Sequence, residues 1–155
     1  MKATDVGLSS AEGADGDIGL ADVSPAGGDH FGEHLMIDAY RGSREKLRDR
    51  ELVQQCLDEL PERLGMRKLA EPTVHWAAPN GIRDPGGWSG VVVIMESHIS
   101  IHTFPARRFA SIDVYSCRNG LPTAEIEAYF RAVFSFEELE TYFVVRGKKY
   151  PVMDC

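Results

Sequence analysis

The sequence predicts an α+β fold: a two-layer sandwich in which a mainly antiparallel sheet carries helices on one face. Three observations lead to this prediction. Short alternating or apolar runs typical of strands recur along the chain, and two of them flank a turn at residues 105–108. Two longer stretches repeat apolar residues at helical spacing. A chain of 155 residues supports one domain with one core.

The elements follow one another in a simple order. Asp49 is the predicted N-cap of a first helix, whose apolar stripe runs through residues 52–60 and ends near Gly65. Pro122 marks the first turn of a second helix. Turn-forming residues fill positions 77–87. The predicted strands are residues 35–40, 91–95, 98–104, 109–116 and 142–145.

Composition narrows the classes of function. The net charge of −7 argues against nucleic acid and against an anionic membrane surface as partners. No apolar run approaches the roughly 20 residues of a membrane span, and no secretory signal is visible. Three cysteines, an odd number, are expected to be free thiols in a cytoplasmic protein. Residues 1–30, acidic and rich in Gly, predict a disordered tail before a domain at 31–155.

The hairpin at residues 98–116 concentrates the polar side chains. If Phe104 lies opposite Phe109, Glu96 falls opposite Cys117 across the two strands, and one sheet face becomes polar and the other apolar. Ser97 has the opposite parity to His102, so a kink at the strand start is needed for the two to meet. The polar face is predicted to carry His98, Ser100, His102, Ser111, Asp113, Tyr115 and Cys117.

The same region carries a sequence motif. Glu96-Ser97-His98 is followed by His102, by Phe104-Pro105 and by Asp113-Val114-Tyr115-Ser116-Cys117. In this spacing the chain resembles the prokaryotic S-adenosylmethionine decarboxylases, which are made as proenzymes. The resemblance runs from about Gly32 to Gly147, and its specific core runs from Ser89 to Cys117.

The resemblance implies a cofactor made from the chain itself. Ser97 would attack the carbonyl of Glu96, and elimination would then cleave the chain between residues 96 and 97 and leave a pyruvoyl group in place of Ser97. This group would form a Schiff base with the substrate amine. His102 matches the family's processing base, Ser89 a serine implicated in processing, and Cys117 the proton donor to the substrate carbon.

Departures from the family pattern concern the substrate. Many members have Glu where this chain has Ala106, and that Glu is associated with the substrate ribose. Trp88 or Phe104 could stack on adenine, and Asp38 could pair with a substrate amine or be a solvated carboxylate. The expected reaction is decarboxylation of S-adenosylmethionine in polyamine synthesis. Decarboxylation of arginine or ornithine is the alternative, and a non-catalytic partner subunit is a third.

Metal binding and assembly complete the expectations. His98 and His102 are four residues apart, which in a strand is about 13 Å and too far for one ion, so we expect no metal. The resemblance implies a homodimer of cleaved protomers with active sites at the interface.

Overall fold

The computed structural model describes residues 30–151. The predicted tail falls outside these residues except for His30, and so does Cys155. A short 3₁₀ turn, Pro105–Arg107, joins two of the strands. The strands are β1 (Gly32–Tyr40), β2 (Arg67–Lys68), β3 (Thr73–Ala77), β4 (Gly87–Met95), β5 (Ser97–Phe104), β6 (Phe109–Ser116) and β7 (Glu138–Arg146), and the helices are α1 (Arg44–Arg48), α2 (Arg50–Arg63) and α3 (Thr123–Phe134).

The strands form one seven-stranded antiparallel sheet. Its order is β2-β4-β5-β6-β1-β7. β2 and β3 both pair with the edge of β4 that faces away from β5: β2 with residues 94–95, and β3 with residues 87–91. Among the described residues the helices pack on one face of this sheet, so the predicted α+β two-layer arrangement is confirmed. We call the other side the helix-free face; it carries His98, Ser100 and His102 of β5 and the residues that flank them on neighbouring strands.

The core lies between the sheet and the helices. Alternate residues of the central strands are buried because strand side chains point to opposite faces in turn. Ile99 and Ile101 on β5 are fully buried, and they pack in one cluster with Leu57 of α2 and Phe130 of α3. Burying each such side chain contributes about 1.5–3 kcal/mol to stability.

The helix boundaries follow local capping chemistry. Asp49 is the N-cap of α2, as predicted, and its carboxylate accepts a hydrogen bond from the backbone N–H of Leu52 at 3.1 Å. Gly65 follows the helix with φ of +63°, a conformation that glycine adopts without steric cost. The helix α1 and the strands β2 and β3 are additions to the predicted elements, and β1, β4 and β7 are longer than predicted.

The hairpin of β5 and β6 has the predicted register. Phe104 lies opposite Phe109, His102 opposite Ser111 and Ser97 opposite Ser116. The expected apolar face is buried throughout, and its members are Ile99, Ile101, Thr103, Ala110, Ile112 and Val114. The polar members stay at least partly exposed on the helix-free face.

Candidate active site

The Glu96–Ser97 peptide bond lies at a sharp reversal of the chain. β4 ends at Met95 and β5 begins at Ser97, so Glu96 alone connects two antiparallel strands. Ser97 has φ of +125°, which is rare for a residue with a side chain and typically costs about 1–3 kcal/mol. Ser97 is half-buried, whereas Glu96 is exposed. The kink expected at the start of the strand is therefore present.

Cys117 lies against this peptide bond. Its backbone N–H donates a hydrogen bond to the carbonyl oxygen of Glu96 at 3.1 Å, so the predicted proximity of Glu96 and Cys117 is confirmed. A donor in this position stabilises negative charge on that oxygen when a nucleophile adds to the carbonyl carbon. The Cys117 side chain is half-buried and belongs to no disulfide.

His102 and Ser89 form a second pair. They are directly opposite residues of β5 and β4, and His102 Nδ1 lies 2.9 Å from Ser89 Oγ. His102 is exposed on the helix-free face, and this hydrogen bond fixes the orientation of its ring. The Nε2 edge is left to face a reacting group.

The two pairs lie at opposite ends of the hairpin. Ser97 and His102 are five residues apart on the continuous strand β5, which corresponds to about 16 Å. The kink at Ser97 does not shorten this distance, because the strand is regular from Ser97 to Phe104. Within one chain, the structure therefore brings Cys117 to the Glu96–Ser97 bond but leaves His102 and Ser89 remote from it.

The three residues predicted to bind substrate lie in different places. Asp38 and Phe104 are half-buried on the helix-free face, and the Phe104 ring lies 5.6 Å from that of Phe109. Trp88 faces the helices instead: its indole N–H donates to the carbonyl oxygen of Arg48 at 2.8 Å. Asp38 and Phe104 thus share the end of the sheet that carries His102, whereas Trp88 lies on the opposite face.

A polar network that sequence reasoning missed crosses the middle of the helix-free face. His34 Nε2 lies 3.0 Å from Asp113 Oδ1, and the Ser100 hydroxyl reaches the other carboxylate oxygen at 3.4 Å. Arg146 lies 3.3 Å from His34 Nδ1. Because a guanidinium only donates, His34 Nδ1 accepts in the hydrogen bond with Arg146, and the Nε2 edge faces Asp113. Ser100 and Asp113 were predicted on the polar face, but no sequence signal pointed to His34 or Arg146.

Tyr115 links this network to Cys117. Burial raises the pKa of Tyr115, and the charge and hydrogen bonding of Cys117 raise it further, while the guanidinium of Arg146 opposes this. That guanidinium lies 5.0 Å from the centre of the Tyr115 ring. The phenol therefore stays protonated beside Cys117 at neutral pH.

The described residues contain neither a metal-binding cluster nor a membrane-spanning helix. Within residues 30–151, no three His, Cys, Asp or Glu side chains are grouped so that they could hold a metal ion. None of the helices in the same range is long and apolar enough to cross a membrane.

Comparison with known proteins identifies the family. The model of the family described as S-adenosylmethionine decarboxylase matches residues 33–147. The chain belongs to the S-adenosylmethionine decarboxylase family. The resemblance inferred from the motif is thereby confirmed.

Individual members of the S-adenosylmethionine decarboxylase family support the assignment. The chain is 32% identical over 121 residues to an S-adenosylmethionine decarboxylase proenzyme of Geobacillus kaustophilus, covering 78% of this chain and 91% of the relative. It is 30% identical over 119 residues to that of Clostridium botulinum strain Langeland, covering 77% and 97%. The crystal structure of the adenosylmethionine decarboxylase from Aquifex aeolicus superposes with a TM-score of 0.65 at 24% identity, covering 76% of this chain and 92% of that one, and so shares the fold.

Proposed function

We propose that this protein is a self-processing, pyruvoyl-dependent decarboxylase that acts on S-adenosylmethionine in cytoplasmic polyamine synthesis. The observation that carries the proposal is the hydrogen bond from the Cys117 N–H to the Glu96 carbonyl, at a serine in a strained conformation. Family membership and the names of the relatives support the reaction class.

Self-processing begins at Ser97. Its hydroxyl oxygen attacks the Glu96 carbonyl carbon, and the Cys117 N–H stabilises the oxyanion that forms. The amide becomes an ester, and a base then removes the Cα proton of residue 97, so that elimination releases residues 1–96 as a separate chain. His102 is the proposed base, oriented by Ser89. The resulting dehydroalanine tautomerises to an imine, and water hydrolyses this imine to the pyruvoyl group with release of ammonia.

The residues around Ser97 fit a pyruvoyl group. Residue 97 is half-buried and pairs with Ile94 and Ser116, so the group would be held by strand pairing on both sides. When formed, it supplies a carbonyl that binds an amine and accepts electron density as CO₂ leaves. Cys117, whose backbone N–H reaches the Glu96 carbonyl, is the proposed donor that returns a proton to the substrate carbon.

A homodimer would complete the site. The pair Ser97 and Cys117 and the pair His102 and Ser89 lie at opposite ends of one hairpin, on or beside the helix-free face. Stacked sheets pack about 10 Å apart. A two-fold axis near the middle of β5 would place the His102 end of one copy over the Ser97 end of the other.

The helix-free face also has the composition of a surface that pairs. Val91, Val93 and Met95 form an apolar row along β4 and are 38%, 46% and 41% exposed, respectively. Residues of this kind are normally covered in an interface. A second copy on this face would bury the row and assemble two complete sites at once.

The substrate is proposed from the relatives. Their names favour S-adenosylmethionine, although Ala106 replaces the glutamate that many members have. One observation favours the alternative, arginine or ornithine: Asp38 and Glu140 are cross-strand partners, and hydrogen bonds from Tyr142 and Tyr40 lower the pKa of Glu140. A pair of carboxylates suits a cationic amino acid. Release of CO₂ from each of the three substrates in turn distinguishes these candidates.

The deciding experiment is the intact mass of the purified protein under denaturing conditions. We expect two chains that separate between Glu96 and Ser97, with the second carrying pyruvoyl in place of serine. Ser97→Ala should remain one chain. A wild-type protein that stays uncut after long incubation would contradict the proposal and favour the non-catalytic partner subunit, and a Ser97→Ala protein that is cut would refute the assignment of Ser97.

A further inference from the structure

A buried carboxylate near the start of β1 has no part in the reaction described so far. Glu33 is 1% exposed. Its Oε2 accepts hydrogen bonds from the backbone N–H groups of Gly120 at 2.8 Å and Leu121 at 2.7 Å, and its Oε1 lies 3.1 Å from His30 Nε2. The two backbone N–H groups can only donate, and this favours the ionised carboxylate as their acceptor.

The balance of effects on Glu33 supports the ionised form. Burial by itself raises the pKa of this carboxyl, but the two backbone hydrogen bonds and His30 outweigh burial, and the net pKa is lowered below 4.5. Charge-assisted hydrogen bonds of this kind are about twice as strong as neutral ones. The loop that Glu33 binds is therefore held more firmly than an exposed loop usually is.

That loop begins at Cys117. It runs from Cys117 to Leu121 between β6 and α3, and Gly32 packs against its first residue. A Cβ on Gly32 would lie 2.5 Å from the carbonyl oxygen of Ser116 and 3.1 Å from the Cα of Cys117. The start of β1 thus contacts the loop twice: Gly32 touches its beginning, and Glu33 binds its end.

We propose that Glu33 is a positioning residue for self-processing, acting through the Cys117–Leu121 loop. By holding the end of the loop, the carboxylate fixes the Cys117 N–H at 3.1 Å from the scissile carbonyl of Glu96. This inference rests on the proposed function, because the carbonyl matters only if the chain is cut there. Glu33 would belong to the first product chain and the loop to the second, so the same bonds keep Cys117 in place after cleavage.

The experiment compares Glu33→Gln and Glu33→Asp with Val53→Ala. Val53 is fully buried in α2, away from the loop, so its truncation destabilises the fold without touching the loop. Two rates are measured: self-cleavage by intact mass, and amide hydrogen exchange of residues 117–121 by peptide mass. For Glu33→Gln we expect cleavage about tenfold slower and exchange of this loop about tenfold faster, the factor that corresponds to loss of one charge-assisted hydrogen bond.

The controls separate positioning from general stability. Glu33→Asp keeps the charge and should bring both the cleavage rate and the exchange rate part of the way back to wild type. Val53→Ala should cleave at the wild-type rate, and its loop should remain protected from hydrogen exchange. Unchanged loop exchange in Glu33→Gln, or equal slowing of cleavage in Val53→Ala, overturns the inference. If the wild-type chain is not cut at all, the proposed function fails on its own, and loop exchange still decides whether Glu33 holds Cys117.

Discussion

Mixing two inactive variants tests whether the site is shared between copies. Ser97→Ala lacks the proposed nucleophile, and His102→Ala lacks the proposed base. In one chain these residues are five positions apart on a regular strand, about 16 Å, and a histidine side chain cannot cover that distance. If the site is shared, a mixed dimer contains one site with Ser97 from the His102→Ala copy and His102 from the Ser97→Ala copy.

The expected yield follows from random pairing. Co-expressed at equal levels, the two variants would give about half mixed dimers, so about half of the His102→Ala chains should be cut and none of the Ser97→Ala chains. Intact mass under denaturing conditions distinguishes the two, since their masses differ. Each variant expressed alone should stay uncut, or be cut very slowly in the case of His102→Ala.

A reciprocal mixture is the control. Wild type co-expressed with the double variant, Ser97→Ala with His102→Ala, should leave about half of the wild-type chains uncut, because their partner supplies no histidine. If all wild-type chains are cut, and no His102→Ala chain is cut in the first mixture, the site lies within one chain. That result would refute the shared site and require β5 to deform by more than the kink at Ser97.

The remaining predictions concern the interface, the histidine and pH. Val93→Asp, on the apolar row, should yield monomers that do not self-cleave, as judged by sedimentation and intact mass. Ile82→Asp, at a site 88% exposed in the loop before β4, should stay dimeric and be cut. Equal behaviour of the two variants would contradict the proposed interface. Ser89→Ala should slow cleavage about tenfold by releasing the His102 ring, and a wild-type rate would show that the 2.9 Å bond is not needed. The pKa of Glu33 is lower in the folded protein than in the unfolded chain, so ionised Glu33 stabilises the fold above pH 4.5. This stabilisation is lost as the pH falls through the pKa of Glu33 in the folded protein. Urea unfolding of wild type should therefore lose stability below pH 4.5 more steeply than that of Glu33→Gln, and parallel curves would count against an ionised Glu33.

The hairpin could be predicted in detail because its information is local. A short turn fixes which residues face each other, and alternation then assigns each side chain to a face. The position of Cys117 beside Glu96 follows from that register alone, and the structure has it. The longer helices were predictable for a similar reason, since the apolar stripe of α2 and its Asp49 cap lie within one short window.

Other features could not be read in this way. The five residues of α1 and the two of β2 are too short to show periodicity, and they form because the surrounding structure pairs with them. The bond between His34 and Asp113 joins residues 79 positions apart, and that between Glu33 and Leu121 joins residues 88 apart. No spacing rule connects such residues until the strand order places β1 beside β6.

The spacing of the motif is the reason for proposing a site shared between two copies. An interval of five residues along a strand separates Ser97 from His102 in both face and position, while the hairpin register brings Cys117, twenty residues after Ser97, next to the Glu96–Ser97 bond. One copy can therefore present the proposed nucleophile and oxyanion donor at one end of β5, and His102 with Ser89 of β4 at the other end, but it does not join the two ends. In the proposed homodimer, a two-fold axis across the helix-free face would reverse the second copy, so that each end would meet the complementary end and a single sequence would supply both halves of two identical sites.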